Sequence, residues 1–121
     1  MKTQTKILGD LGETVVADKM QKAGFTLLAR NYRTSFGEVD IIAQQGDTIA
    51  FVEVKTRKHI FFDISQVITP AKQKKIIMVA KAFLAQYPNP EVICRFDVAI
   101  LEHQESNSAV TYIANAFYGH E

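Results

Sequence analysis

Gly37-Glu38-Val39-Asp40-Ile41-Ile42-Ala43, then Gln44-Gln45-Gly46-Asp47-Thr48, then Ile49-Ala50-Phe51-Val52-Glu53-Val54-Lys55-Thr56: this stretch decides the fold. In the first run Val39, Ile41 and Ala43 alternate with Glu38, Asp40 and Ile42, and the last run is rich in β-formers, so two strands are predicted. Gln45-Gly46-Asp47-Thr48 between them is a turn signal. With Gly46 and Asp47 as the loop residues, Gln45 pairs with Thr48 and paired residue numbers total 93. Asp40 then stands opposite Glu53, and Glu38 opposite Lys55, with Cβ atoms about 4.5–5.5 Å apart.

The remaining elements extend outward from this hairpin. From Lys6 to Ala23 the apolar residues Leu8, Leu11, Val15, Val16 and Met20 recur at helical spacing, and Gly24 is placed to end the helix. Phe25 to Arg33 reads as a partly irregular strand. Pro70 opens a second helix with Thr69 as its N-cap, and Ile76, Ile77, Ala80, Phe83 and Leu84 form its core stripe. Pro88-Asn89-Pro90 stops it. Val92 to Leu101 and Ala109 to Ile113 read as two more strands. The order α-β-β-β-α-β-β predicts one α/β domain over residues 1–121, a mixed central sheet flanked by helices.

Composition fits a single globular core: 121 residues, 47% apolar and 22% charged. The formal net charge is +1, so any nucleic-acid footprint must be a local patch. Cys94 is the one cysteine, which excludes an internal disulfide, and its run Val92-Ile93-Cys94 predicts a buried thiol. Met1 to Asp10 carries Lys2 and Lys6 with no apolar run behind them, and no stretch is apolar over the roughly 18 residues a bilayer needs. No membrane partner and a cytoplasmic location are expected.

Two carboxylates facing each other across a sheet repel. A hard divalent cation removes that conflict, and Mg²⁺ typically takes one or two carboxylates with waters and phosphate oxygens. Asp40 and Glu53, with the Val54 carbonyl, are therefore candidate metal ligands for Mg²⁺ or Mn²⁺. Lys55 lies on the face of Glu53, where an ammonium could orient an attacking water or stabilise charge on a phosphate. The same spacing also suits a plain ion pair between Glu38 and Lys55, with Asp40 and Glu53 facing water.

Beyond the hairpin, Glu13 shares a helix stripe with Gly9, Val16, Ala17 and Met20. Gly9 and Gly12 each cost up to about 1 kcal/mol in a helix, which predicts a close approach there. Gln73 lies one turn before Ile76 and Ile77, aimed at the sheet, and is either a phosphate or water ligand or a polar boundary residue. From Glu53 to Lys81 the cations Lys55, Arg57, Lys58, Lys72, Lys74, Lys75 and Lys81 outnumber the acids Glu53 and Asp63, a local charge of +5. Arg57, Lys58, Lys72, Lys74 and Lys75 are thus candidate phosphate contacts, or else a solvated helix face. Asp97 beside Arg95 reads as a structural salt bridge. His59, His103 and His120 have no metal-ligand spacing.

Gly37-Glu38-Val39-Asp40-Ile41-Ile42-Ala43 and Phe51-Val52-Glu53-Val54-Lys55-Thr56-Arg57 resemble the PD-(D/E)xK nuclease core. The closer resemblance is to the YraN-like uncharacterised bacterial family, itself similar to archaeal Holliday-junction resolvases. Gly12-Glu13, Arg30-Asn31-Tyr32-Arg33, Lys72-Gln73, Arg95-Phe96-Asp97-Val98 and Asn115-Ala116-Phe117 extend it over nearly the whole chain. The Pro that precedes the first acid in the superfamily name is absent, and Phe61-Phe62-Asp63 stands where the family usually has Phe-Gly. The resemblance implies a restriction-endonuclease-like fold, a Mg²⁺-dependent phosphodiesterase site at Asp40, Glu53 and Lys55, and Glu13 as a further member of the metal site. It also implies a DNA substrate, branched or structured, and a symmetric dimer, for which Tyr112-Ile113 and Phe117-Tyr118 would supply apolar surface. The alternative is a non-catalytic nucleic-acid-binding module on the same fold.

Overall fold

A computed structural model describes residues 4–57, 68–103 and 108–117. Lys58, the Phe61-Phe62-Asp63 segment and Tyr118 lie outside them. The order is α1 (Gln4–Lys22), β1 (Thr26–Thr34), β2 (Gly37–Gln45), β3 (Thr48–Arg57), α2 (Pro70–Ala85), β4 (Ile93–His103) and β5 (Ser108–Phe117). The strands form one sheet in chain order, antiparallel except for β3 and β4, which run parallel. Parallel neighbours need a crossover, and α2 lies within it.

The hairpin is as expected. Gln45↔Thr48, Gln44↔Ile49, Ala43↔Ala50, Ile42↔Phe51 and Ile41↔Val52 all total 93. Gly46 supplies the left-handed turn residue at φ +59°. The helix signals also hold. Phe25 N donates to the Met20 carbonyl and Gly24 N to the Gln21 carbonyl, both at 3.0 Å, with Gly24 at φ +100°. That is the Schellman ending a glycine permits. Thr69 Oγ1 accepts the Lys72 N–H at 3.2 Å, and Pro70 takes the first helical position.

Each helix covers one face of the sheet. Val16, Ala17 and Met20 of α1 pack on Ile41, Ala43, Ala50, Val52 and Ala99. Ile76, Val79 and Ala80 of α2 pack on Ile42, Phe51, Phe96, Val98 and Ile100. Val39 belongs to this second cluster although Ile41, two residues on, belongs to the first. The regular alternation expected of β2 therefore lapses across Asp40. The partner strand is irregular at the same level, because Asn31 adopts φ +51°.

Several expectations are corrected. Cys94 is exposed, not buried, although enough protein surrounds the thiol that desolvation pushes it up to about 11. It is protonated at neutral pH and a poor nucleophile. Phe117 is a core residue, 7% exposed and stacked on Phe96, so it offers no surplus surface for a dimer; Tyr112 is 37% exposed. β5 continues past Ile113 to Phe117, with a register shift opposite Asp97.

The two glycines of α1 differ. A Cβ on Gly12 would meet Thr56 Oγ1 at 2.7 Å and Leu101 Cδ2 at 3.2 Å, so close approach explains this glycine. A Cβ on Gly9 would meet nothing within 4 Å. Gly12→Ala is expected to lose about 1–2 kcal/mol, because overpacking outweighs the gain in helix propensity. Gly9→Ala should instead gain up to about 1 kcal/mol. Urea melts of the two variants measure both, and equal effects would remove the packing explanation.

Candidate functional site

The β2–β3 ladder stops at Ile41↔Val52, one residue short of the acids. At that point Asp40 Oδ2 accepts the Val54 N–H at 2.8 Å, a side-chain oxygen taking a backbone donor of the neighbouring strand. The carboxylate is thereby pinned against β3 beside Glu53. Glu53 is 6% exposed. Burial first, and then the Glu53 charge, push Asp40 from 3.8 up to about 8; the Val54 N–H opposes the rise and Glu13 adds to it.

Two ammonium groups converge on Glu53. Lys55 Nζ lies 3.4 Å from Oε1, and Lys72 Nζ, from the first turn of α2, lies 3.3 Å from the same atom. Burial and the adjacent Lys72 lower the Lys55 pKa. For Lys72 burial works in the same direction, but its contact with Lys55 and the Glu53 charge outweigh it and the pKa is raised. A cleft of about 240 Å³ opens beside this cluster, between Gly37 and Glu38 of β2, the acids, and Lys72 and Lys75 of α2.

The structure gathers some of the expected residues and separates others. Asp40, Glu53 and Lys55 come together. Val54 enters through its N–H, which Asp40 holds. Glu13 is buried at 7% exposure and near enough to act on Asp40 electrostatically. With the amide of Asn31 oriented by its partners, its Nδ2 donates to Glu13 Oε1 at 2.7 Å and to Glu38 Oε1 at 2.9 Å. Among the described residues no three acidic, histidine or cysteine side chains form a ready ligand set. Glu38 takes Arg33 Nε at 2.8 Å, on β1, and Lys55 pairs with Glu53 rather than with Glu38. Gln73 Nε2 donates to the Ile68 carbonyl at 3.2 Å, tying α2 to the chain before it. Lys75 lines the cleft, while Lys74 and Arg57 are exposed.

Two residues exceed what the sequence reading assigned them. Lys72 was expected at phosphates and sits on Glu53. Asn31 links α1 to β2; its signal was an asparagine inside a strand, a residue that tolerates the left-handed conformation. Asp97 is the structural acid expected. It is fully buried, bonded by Arg95 Nε and Nη2 at 2.9–3.0 Å, by the Tyr112 hydroxyl, and by the Asn115 N–H at 3.0 Å.

Fold and site together define a small mixed-sheet α/β domain with a half-buried Asp40 beside a buried Glu53, and two lysines, at the broken end of a hairpin. Residues 12–101 match the model of the uncharacterised protein family UPF0102, and the chain belongs to that family. It is 41% identical over 118 residues to a UPF0102 protein of Geotalea daltonii, covering 96% of this chain and 93% of the relative. A UPF0102 protein of Chlorobium phaeobacteroides is 42% identical over 117 residues, covering 91% and 93%. One of Thermosynechococcus vestitus is 44% identical over 115 residues, again covering 91% and 93%. Among the described residues no helix is long and apolar enough to cross a membrane.

Proposed function

We propose that this protein is a Mg²⁺- or Mn²⁺-dependent endonuclease that hydrolyses phosphodiester bonds of DNA, with branched or structured DNA as the expected substrate. The observation that carries the reading is the acid pair: Asp40 is pinned beside a buried Glu53 and pushed up to about 8. An arrangement that costs energy in the free chain gains from a ligand that relieves it. The donor set is hard carboxylate oxygen, which suits these cations.

Asp40 and Glu53 would hold the ion, with the Val54 carbonyl as a further oxygen. A bound divalent ion supplies positive charge that polarises the scissile phosphate and favours ionisation of water. Lys55 is half-buried on the Glu53 face, where it would orient the attacking water or stabilise charge on phosphorus. The water oxygen bonds to phosphorus as the bond to the leaving sugar oxygen breaks, and that oxygen ends protonated. Lys74, Lys75 and Arg57 would contact neighbouring phosphates and set the salt dependence of binding. Gln73 and Glu13 would act through position: Gln73 on the start of α2, Glu13 on the charge of Asp40.

One observation favours the alternative, a non-catalytic nucleic-acid-binding module. Lys55 and Lys72 already neutralise Glu53, so the cluster persists as an ion-pair network without metal. A nicking assay on linear and four-way-branched DNA, with Mg²⁺, Mn²⁺ or chelator, separates the two. Cation-dependent nicking by the wild-type chain, lost in Glu53→Gln, is expected. DNA binding with no cleavage under any of these conditions would leave the binding module.

A further inference from the structure

The two lysines on Glu53 present a counting problem. Lys55 and Lys72 both approach a single atom, Glu53 Oε1, at 3.4 and 3.3 Å. A divalent ion held by Glu53 and Asp40 would make a third positive group around one carboxylate. Ammonium groups cannot coordinate a cation, and like charges this close repel strongly in a partly buried site. One lysine must yield.

Geometry distinguishes them. Lys55 rises from the middle of β3 and its side chain is 19% exposed, while Lys72 stands on the first turn of α2 and is 39% exposed. Lys72, with Lys75, forms the wall of the cleft that opens beside the acids. Its four-carbon stem lets the ammonium swing into that cleft while α2 stays fixed by the Thr69 cap.

Resting on the metallonuclease reading, we propose that Lys72 is the exchangeable counter-charge of this site. It neutralises Glu53 in the cation-free protein and transfers to a phosphate oxygen of the nucleic acid when a divalent cation takes Glu53. Lys72 is then a phosphate-binding residue whose occupancy alternates with that of the metal. The exchange keeps the buried carboxylate partnered both before and after the cation arrives.

The test is calorimetry of Mn²⁺ binding to the full chain, alongside binding of a short DNA duplex with Ca²⁺ present. Lys72→Met removes a competitor for Glu53, so Mn²⁺ affinity should tighten, on the order of tenfold. The same variant should bind DNA several-fold more weakly. Lys72→Arg should stay within about twofold of wild type for Mn²⁺ because the charge remains. Lys74→Met, on the exposed side of the same helix, should weaken DNA binding and leave Mn²⁺ affinity unchanged. Lys72→Gln carries the same expectations should Lys72→Met not fold. A purely structural Lys72 would not tighten metal binding. Unchanged or weaker Mn²⁺ affinity in Lys72→Met overturns the proposal, as does tighter Mn²⁺ binding with undiminished DNA binding. If the wild-type chain binds no Mn²⁺ at all, the metallonuclease reading falls, and this inference with it.

Discussion

Asp97→Ala is expected to lower stability by about 3–5 kcal/mol, the usual cost of breaking a buried ion pair by removing one partner. Asp97 has no exposed surface and accepts from four donor groups on two strands: Arg95 Nε and Nη2, the Tyr112 hydroxyl and the Asn115 N–H. All of them lose their acceptor at once; a donor left unpaired away from water costs about 1–3 kcal/mol, and the part-exposed Arg95 and Tyr112 recover some of that from solvent. The site also shapes β5. The β4–β5 register shifts opposite Asp97, and Asn115 adopts φ +54° where its N–H turns to the carboxylate. Removing the anchor should therefore loosen the end of β5 as well as the ion pair. Against a typical total of about 5–15 kcal/mol the loss is large, and the melting temperature should fall by roughly 10–20 °C. Circular dichroism melts of Asp97→Ala beside Tyr112→Phe measure it. Tyr112→Phe removes one donor together with its hydroxyl, so it should cost about 1 kcal/mol. A loss under about 1 kcal/mol in Asp97→Ala would mean that solvent reaches this carboxylate and replaces its partners.

What the sequence made legible was local. Gly46-Asp47 fixes an even loop, and an even loop fixes which residues face each other, so the pairs totalling 93 followed from a few residues. Thr69-Pro70 and Gly24 act within one turn of a helix and were equally readable. Non-local features were not. Val92-Ile93-Cys94 is as apolar as a core strand, yet Ile93 is 61% exposed and Cys94 is exposed. The β4–β5 ladder runs only as far as Phe96↔Phe117 among the described residues. Pattern gives hydrophobicity, whereas burial depends on the length of the neighbouring strand. Lys72 shows the same limit from the other side. As one cation in a basic run it read as a phosphate contact, and only the packing of α2 on the sheet brings it to Glu53. The end of the ladder at Asp40 was hidden as well, because a side chain replacing a backbone acceptor leaves the strand pattern of the sequence unchanged.

Asp40→Asn is expected to stabilise the cation-free protein at alkaline pH and to abolish its response to divalent cations. In the folded chain Asp40 is held at about 8, against an ordinary 3.8, by burial, then by Glu53, with Glu13 adding to the effect. A carboxyl raised on folding keeps its proton in the native state where the unfolded chain has lost it. The contribution to stability is fully present below about pH 4, declines as pH rises, and is lost above about pH 8. The amide introduced by Asp40→Asn would be neutral throughout, and its oxygen can still accept the Val54 N–H. The variant should match wild type near pH 4 and exceed it by a few kcal/mol near about pH 9. Lys55 and Lys72 make their direct contacts with Glu53, and Asp40 is only the last and smallest influence on the shift of Lys72. Cation binding supplies the second half of the expectation. A metal ligand must be deprotonated, so Mn²⁺ affinity of the wild-type chain should fall roughly tenfold per unit of pH below about 8. Thermal melts at about pH 8.5 should rise with added Mn²⁺ in the wild-type chain and stay flat in Asp40→Asn. Equal pH profiles of stability for the two chains would show that Asp40 titrates normally. A Mn²⁺ response retained by Asp40→Asn would place any cation away from the acid pair.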